Sequence, residues 1–234
     1  MGGSSGMGSK TRALLRGAIV AALFASAQAM ADTPASDAAQ SAAMLSALGK
    51  QSAGDDRAQA ILAIAQRVSG SDLDRAVSAL RTTLTRNPAD LDAKMYYGYG
   101  QLRLALQYLD KKNFLQAAER AKQGFFYVDE AAESAPDNWR LRYLRTRVDA
   151  FSPPSNGRCV VALKDIAYLD GDAAVPRDLM PMIGSMQARA QDACRKSWSL
   201  AGGSPERAAN APPPPPLTPV EIARVLEPVV KEQR

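Results

Sequence analysis

Long runs of Ala, Leu, Gln, Arg and Glu, cut at short intervals by Gly, Pro and Asn, leave this chain of 234 residues few folds other than packed helices. Clusters of β-branched residues are few, and no stretch of strict apolar/polar alternation lies between turn signals, so strands have no foothold. Helices are expected over residues 36–48, 55–68, 72–86, 89–108, 114–134, 138–151, 160–169 and 177–199. The breaks fall at Gly49, Gly54, Gly70, Pro88, Asn113, Pro136, the Pro153-Pro154 pair and Gly171. Connections this short between helices this long make consecutive helices antiparallel, so the fold class is all-α, built from helical hairpins.

The first 31 residues read as a secretory signal peptide. Lys10, Arg12 and Arg16 form its positive region, residues 17–27 its apolar region, and Ala29-Met30-Ala31 supplies small residues for cleavage before Asp32. The apolar run falls short of the ~20 residues that span a bilayer, and no second one follows. A periplasmic location without stable membrane insertion is therefore expected. No cysteine lies beside the cleavage point, so lipid attachment has no acceptor there. In an exported protein Cys159 and Cys194 read as a disulfide, because their spacing matches neither a redox pair nor a zinc site. They stand near the start of helix 160–169 and near the end of helix 177–199, which antiparallel neighbours would bring together. Closing that loop is worth about 4 kcal/mol in the chain-entropy picture.

Composition removes whole classes of chemistry. The chain has no histidine, hence no Ser-His or Cys-His nucleophile and none of the commonest metal ligand. The net charge of +5 falls when Lys10, Arg12 and Arg16 leave with the signal, giving 26 basic against 24 acidic residues. That balance argues against a nucleic-acid partner. There is no GxxxxGK, no GxGxxG after a strand and no Gly-x-Ser-x-Gly, so no cofactor is expected. Asp55-Asp56 and Asp170-Gly171-Asp172 lack the remaining oxygen ligands of a calcium loop and read as caps and turns. No metal site is expected.

An internal echo links two segments. Ala76, Leu80, Thr83, Leu84 and Pro88 recur at the same spacing as Gly124, Val128, Ala131, Ala132 and Pro136. Each proline leads into a new helix carrying aromatics, Tyr96-Tyr97 in one and Trp139 in the other. The spacing resembles the second helix of a tetratricopeptide repeat over about residues 72–151, although the prolines stand farther apart than that family's period of roughly 34 residues. The resemblance implies hairpins stacked as a right-handed superhelix, with an irregular bundle as the alternative. It also implies a concave surface that takes a partner. On a helix 138–151, Arg142 and Arg145 share a face with Asp149, opposite Leu141, Leu144, Val148 and Phe151. With Tyr96, Tyr97 and Arg103 they are the expected partner-binding residues, gripping a carboxylate of an envelope protein or peptide. The competing reading of that face is a solvated one with an intrahelical Arg145–Asp149 pair.

The chain divides into an α-domain over 32–200, a proline-rich linker over 201–216 and a short amphipathic tail helix over 217–234. Pro212 to Pro216 should form a stiff rod of roughly 15 Å. Thr218, Pro219 and Glu221 make a capping box, and Ile222, Val225, Leu226, Val229 and Val230 form one apolar face. Pro228 is expected to kink or end this helix. The tail reads either as a docking element or as a terminal helix folded back on its own domain. The function expected is non-enzymatic: a periplasmic interaction module serving as adaptor, assembly factor or chaperone-like accessory. The alternative is a peptidoglycan-acting enzyme, because Glu133-Ser134 resembles the Glu-Ser pair of lytic transglycosylases.

Overall fold

The structure, a computed structural model, describes residues 34–200 and 213–231. The signal peptide expected over 1–31 and linker residues 201–212 lie outside the described residues. The fold is all-α: α1 (Pro34–Gln51), α2 (Asp56–Ala65), α3 (Ser71–Arg86), α4 (Leu91–Asp110), α5 (Phe114–Ser134), α6 (Trp139–Ala150), α7 (Cys159–Gly171) and α8 (Met180–Leu200). The tail follows as α9 (Pro219–Glu221), a π turn (Ile222–Leu226) and α10 (Glu227–Lys231). Among the described residues there is no strand, and no helix is long and apolar enough to cross a membrane.

The punctuation in the sequence works through specific caps. Asp55, Asp90, Asn113 and Asn138 accept backbone N–H bonds in the first turns of α2, α4, α5 and α6, satisfying donors that no helical carbonyl can reach. Arg67 and Lys112 adopt positive φ (63° and 58°) where the chain turns out of α2 and α4. Pro181 occupies the first turn of α8, where a missing N–H is harmless.

Consecutive helices pair as hairpins, α2 with α3, α4 with α5, and α6 with α7, while α8 packs on α7 and α6. Helix α4 also touches α2 and α6, so it sits between its counterparts from the other hairpins. The α4–α5 packing is the most intimate, and glycines permit it. A Cβ on Gly98 would lie 2.8 Å from the Gly124 carbonyl oxygen and 2.8 Å from Val128 Cγ2. Gly124, the small residue of the internal echo, is pressed against Leu102 in the same way. The Cys159–Cys194 disulfide joins the first residue of α7 to α8 across a Cα separation of 5.5 Å. One apolar core runs from Leu48 in α1 to Val230 in the tail.

Pro228 does not end the tail helix. Its ring excludes the ordinary bond to the carbonyl four residues back, and the helix widens ahead of it instead: the Glu227 N–H donates to the Ile222 carbonyl in a π turn. Thereby Ile222, Val225 and Leu226 stay on the buried side together with Val229 and Val230. The tail is folded back on its own domain, against α1 and α2 and beside the turn at Arg177–Leu179.

Gly98→Ala should lower stability by about 1–3 kcal/mol in urea unfolding, the opposite sign to the gain of ~1 kcal/mol that alanine brings inside an ordinary helix. A neutral or stabilised variant would contradict the close α4–α5 contact.

Candidate functional site

The basic helix α6 is buried on nearly every side, although its sequence is rich in charge. Arg145 donates to both oxygens of Asp165 on α7 at 2.7 and 2.9 Å, and Arg142 adds a bond to Asp165 Oδ1 at 2.8 Å. Asp165 is completely enclosed, at 0% side-chain exposure. Arg145 also reaches Glu133 at 3.3 Å and Asp129 at 3.6 Å on α5. Arg142 stacks 4.1 Å above the Tyr168 ring. Asp149 pairs with Arg158, which bridges it to Asp129, and so the intrahelical Arg145–Asp149 pair does not form.

Arg142 and Arg145 therefore join α6 to α5 and α7 and are not free to hold a partner's carboxylate. The other expected groove residues are internal as well. Tyr96 and Tyr97 are buried in α4, Tyr97 meeting the Tyr127 ring edge-on at 4.8 Å. The two glycines of α4 bring Val128 of α5 and Val77 of α3 into close contact with it. Arg103 closes the end of α2, donating to the carbonyls of Ile64, Arg67 and Val68. The three arginines are held by carboxylates or carbonyls and the two tyrosines are packed inside, the buried Tyr96 hydroxyl making no hydrogen bond.

A different site emerges where the tail lies. Glu221, only 5% exposed, uses all its acceptor capacity: Oε1 accepts from the Tyr143 hydroxyl at 2.8 Å and Arg147 Nε at 2.9 Å, and Oε2 accepts from the backbone N–H and hydroxyl of Thr218 at 2.8 and 3.0 Å. Arg147 also donates to the Pro215 carbonyl, so one guanidinium reads both the helix start and the proline segment before it. At the opposite end Arg57 Nη1 donates to the Val229 carbonyl at 2.9 Å, while its Nε and Nη2 are held by Asp90 at 2.5 and 2.9 Å. Burial would raise the Asp90 carboxyl, but Arg57 and the Ala93 N–H hold it below the usual carboxylate range. Ile222, Val225, Leu226, Val229 and Val230 fill the space between these anchors. An exposed pair, Arg224 with Asp178, closes the rim.

The phenols around this site are locked in their neutral form. Burial pushes Tyr96, Tyr99 and Tyr143 well above the ordinary range, and Glu221 adds to the effect at Tyr143. Tyr99 donates its hydroxyl to the Leu144 carbonyl at 2.7 Å and ties α4 to α6 behind the tail.

Sequence reasoning missed Arg57, Tyr143, Arg147 and Glu221 as a set. The available signal was Glu221 itself, which heads the same helical row as Val225 and Val229. A carboxylate on an apolar row calls for a buried cation.

Groups with possible acid–base roles are otherwise engaged. Glu133 stands 71% exposed at the end of α5 with its carboxylate on Arg145, and lacks the apolar recess that a glycan-cleaving acid needs. Burial pushes the Asp149 carboxyl up to about 7 against the pull of Arg158, and both of its oxygens are bonded to that arginine. Asp55 caps α2, and Asp172 accepts the Ala174 N–H in a turn. Among the described residues no group of His, Cys, Asp and Glu is placed to hold a metal ion. A recess of about 170 Å³ lined by Tyr97, Gln101, Arg81 and Arg120 is smaller than the ~300 Å³ of small-molecule sites. Leu106, Leu109, Phe114 and Leu115 are exposed at the tip of the α4–α5 hairpin.

Charge reversal at Arg145 should remove about 3–5 kcal/mol of stability, because it leaves the enclosed Asp165 facing a second carboxylate. Chemical denaturation of Arg145→Glu measures this, and an unchanged midpoint would return Arg145 to the surface. Compared with protein families, with curated proteins and with solved structures, the chain matches none.

Proposed function

We propose that this chain is a non-enzymatic, exported interaction module, periplasmic in location, whose tetratricopeptide-like hairpins present the α2–α4–α6 side to a helical segment of an envelope protein. The observation that carries this reading is the seat of the tail. There α1 and α2, with Tyr143 and Arg147 of α6, hold a helix through charged and backbone-directed anchors at both of its ends, Arg147 with Tyr143 at one and Arg57 at the other. Such anchors select a helix by its polarity and direction as well as by its apolar row. The disulfide suits an oxidising compartment. The full use of the buried carboxylates in ion pairs favours binding over catalysis.

Crosslinking of the full chain in an envelope extract, followed by mass spectrometry, tests the proposal. One or two defined proteins should be captured, and their yield should fall when a synthetic peptide spanning residues 213–231 is added in excess. Capture unaffected by the peptide would overturn the proposal, as would release of glycan fragments from peptidoglycan that Glu133→Gln abolishes.

A further inference from the structure

The α4–α5 hairpin runs past the domain it belongs to. Arg103 meets the carbonyls of Ile64, Arg67 and Val68 where α2 ends, and α4 continues from there to Asp110, roughly 10 Å farther at the helical rise per residue. The last buried residue of α4 is Ala105 and the first of α5 is Ala117, so no residue between 106 and 116 belongs to the core. The turn is nevertheless fixed. The Lys112 N–H donates to the Leu109 carbonyl and the Asn113 N–H to the Tyr108 carbonyl, each at 2.8 Å, while the Asn113 side chain caps α5 by accepting the Gln116 N–H.

This preformed end carries apolar side chains that no packing within the chain explains. Phe114 is 68% and Leu115 79% exposed, and Leu106 and Leu109 stand about half-exposed at the same end. Single exposed apolar residues are ordinary, but a cluster of them on one projection marks a contact surface. Between the α4 and α5 members stand Lys111 and Lys112, both exposed, and Asp110 is the sole acidic residue from 106 to 116. Lysine stems lie along apolar surface while their ammonium groups reach for anions. The apolar area of the tip is roughly 400 Å², about half of what one side of a stable protein interface buries. Pairing two tips in a dimer would also set the lysines of one copy against those of the other. A bilayer interface imposes neither limit, takes side chains to a depth of about 5–10 Å, and offers anionic headgroups to the lysines.

We infer that the tip of the α4–α5 hairpin is a peripheral docking site for an anionic phospholipid bilayer. Leu106, Leu109, Phe114 and Leu115 enter the boundary between headgroups and acyl chains, and Lys111 and Lys112 meet the lipid phosphates. The attachment is shallow and reversible, since no described helix is long and apolar enough to cross a membrane. It stands independently of the helix-binding reading proposed above.

Both native cysteines are in the disulfide, so a cysteine introduced into the full chain as Leu115→Cys takes an environment-sensitive fluorophore at the tip alone. A second chain carries the same label at Asp137→Cys, exposed in the turn at the other end of α5. Titration with vesicles of phosphatidylglycerol and phosphatidylcholine should shift the emission at 115 to the blue and leave that at 137 unchanged. Adding Lys111→Glu and Lys112→Glu to the tip-labelled chain should raise the lipid concentration at half-shift about tenfold or more. Absence of a shift at 115 would overturn the inference, as would an equal shift at 137. An equal response to vesicles of phosphatidylcholine alone would overturn the assignment of an anionic surface. A shift at 115 that arises without lipid and grows with protein concentration would make a second copy of the chain the occupant and overturn the lipid.

Discussion

The burial of arginine around α6 is the constraint to which the rest of the structure is fitted. A guanidinium removed from water is tolerable only with a carboxylate or carbonyl in the right geometry, and removing one partner leaves an expensive unpaired charge. Arg142 and Arg145 take Asp165 from α7, Arg145 also draws on α5, and Arg147 takes Glu221 from the tail. Arg158 then fastens α5 to the end of α6 through Asp129 and Asp149. Apolar packing alone would let these helices slide or exchange places. The pairs assign each neighbour a position on α6.

This constraint bears unequally on its parts. Asp165 and Asp149 belong to the folded domain and are fully enclosed, so their pairs open only with the domain. Glu221 belongs to a segment that returns from far along the chain, and its pair with Arg147 separates if the tail alone leaves. The same chemistry that locks α7 in place thus holds, at the other edge of α6, the returning tail.

Much of the local architecture was legible in the sequence. Caps such as Asp90 and Asn138, the prolines at 88 and 136, and Gly54 and Gly70 fix most elements to within a few residues, because these signals act within one turn, whereas Gly49, expected as a break, lies inside α1. The pairing of Cys159 with Cys194 was legible for a similar reason: two helices in antiparallel contact admit it. The site was not. Arg142 and Arg145 lie on one face of α6, yet nothing in a helical wheel tells whether that face meets water or meets Asp165 of α7. Tyr96 and Tyr97 read as surface aromatics, but Gly98 and Gly100 let α5 and α3 close over α4. The tail's apolar row required a cover without naming it, and Pro228 pointed to a broken helix until the π turn absorbed it.

Hydrogen exchange of the full chain, followed peptide by peptide, tests the central claim most directly. If the Arg147–Glu221 pair holds the tail on the domain, amides of residues 220–231 should be protected in the wild-type chain and lose that protection in Glu221→Ala, while those of α4 stay protected in both. Equal protection of the tail in the two chains would contradict the account.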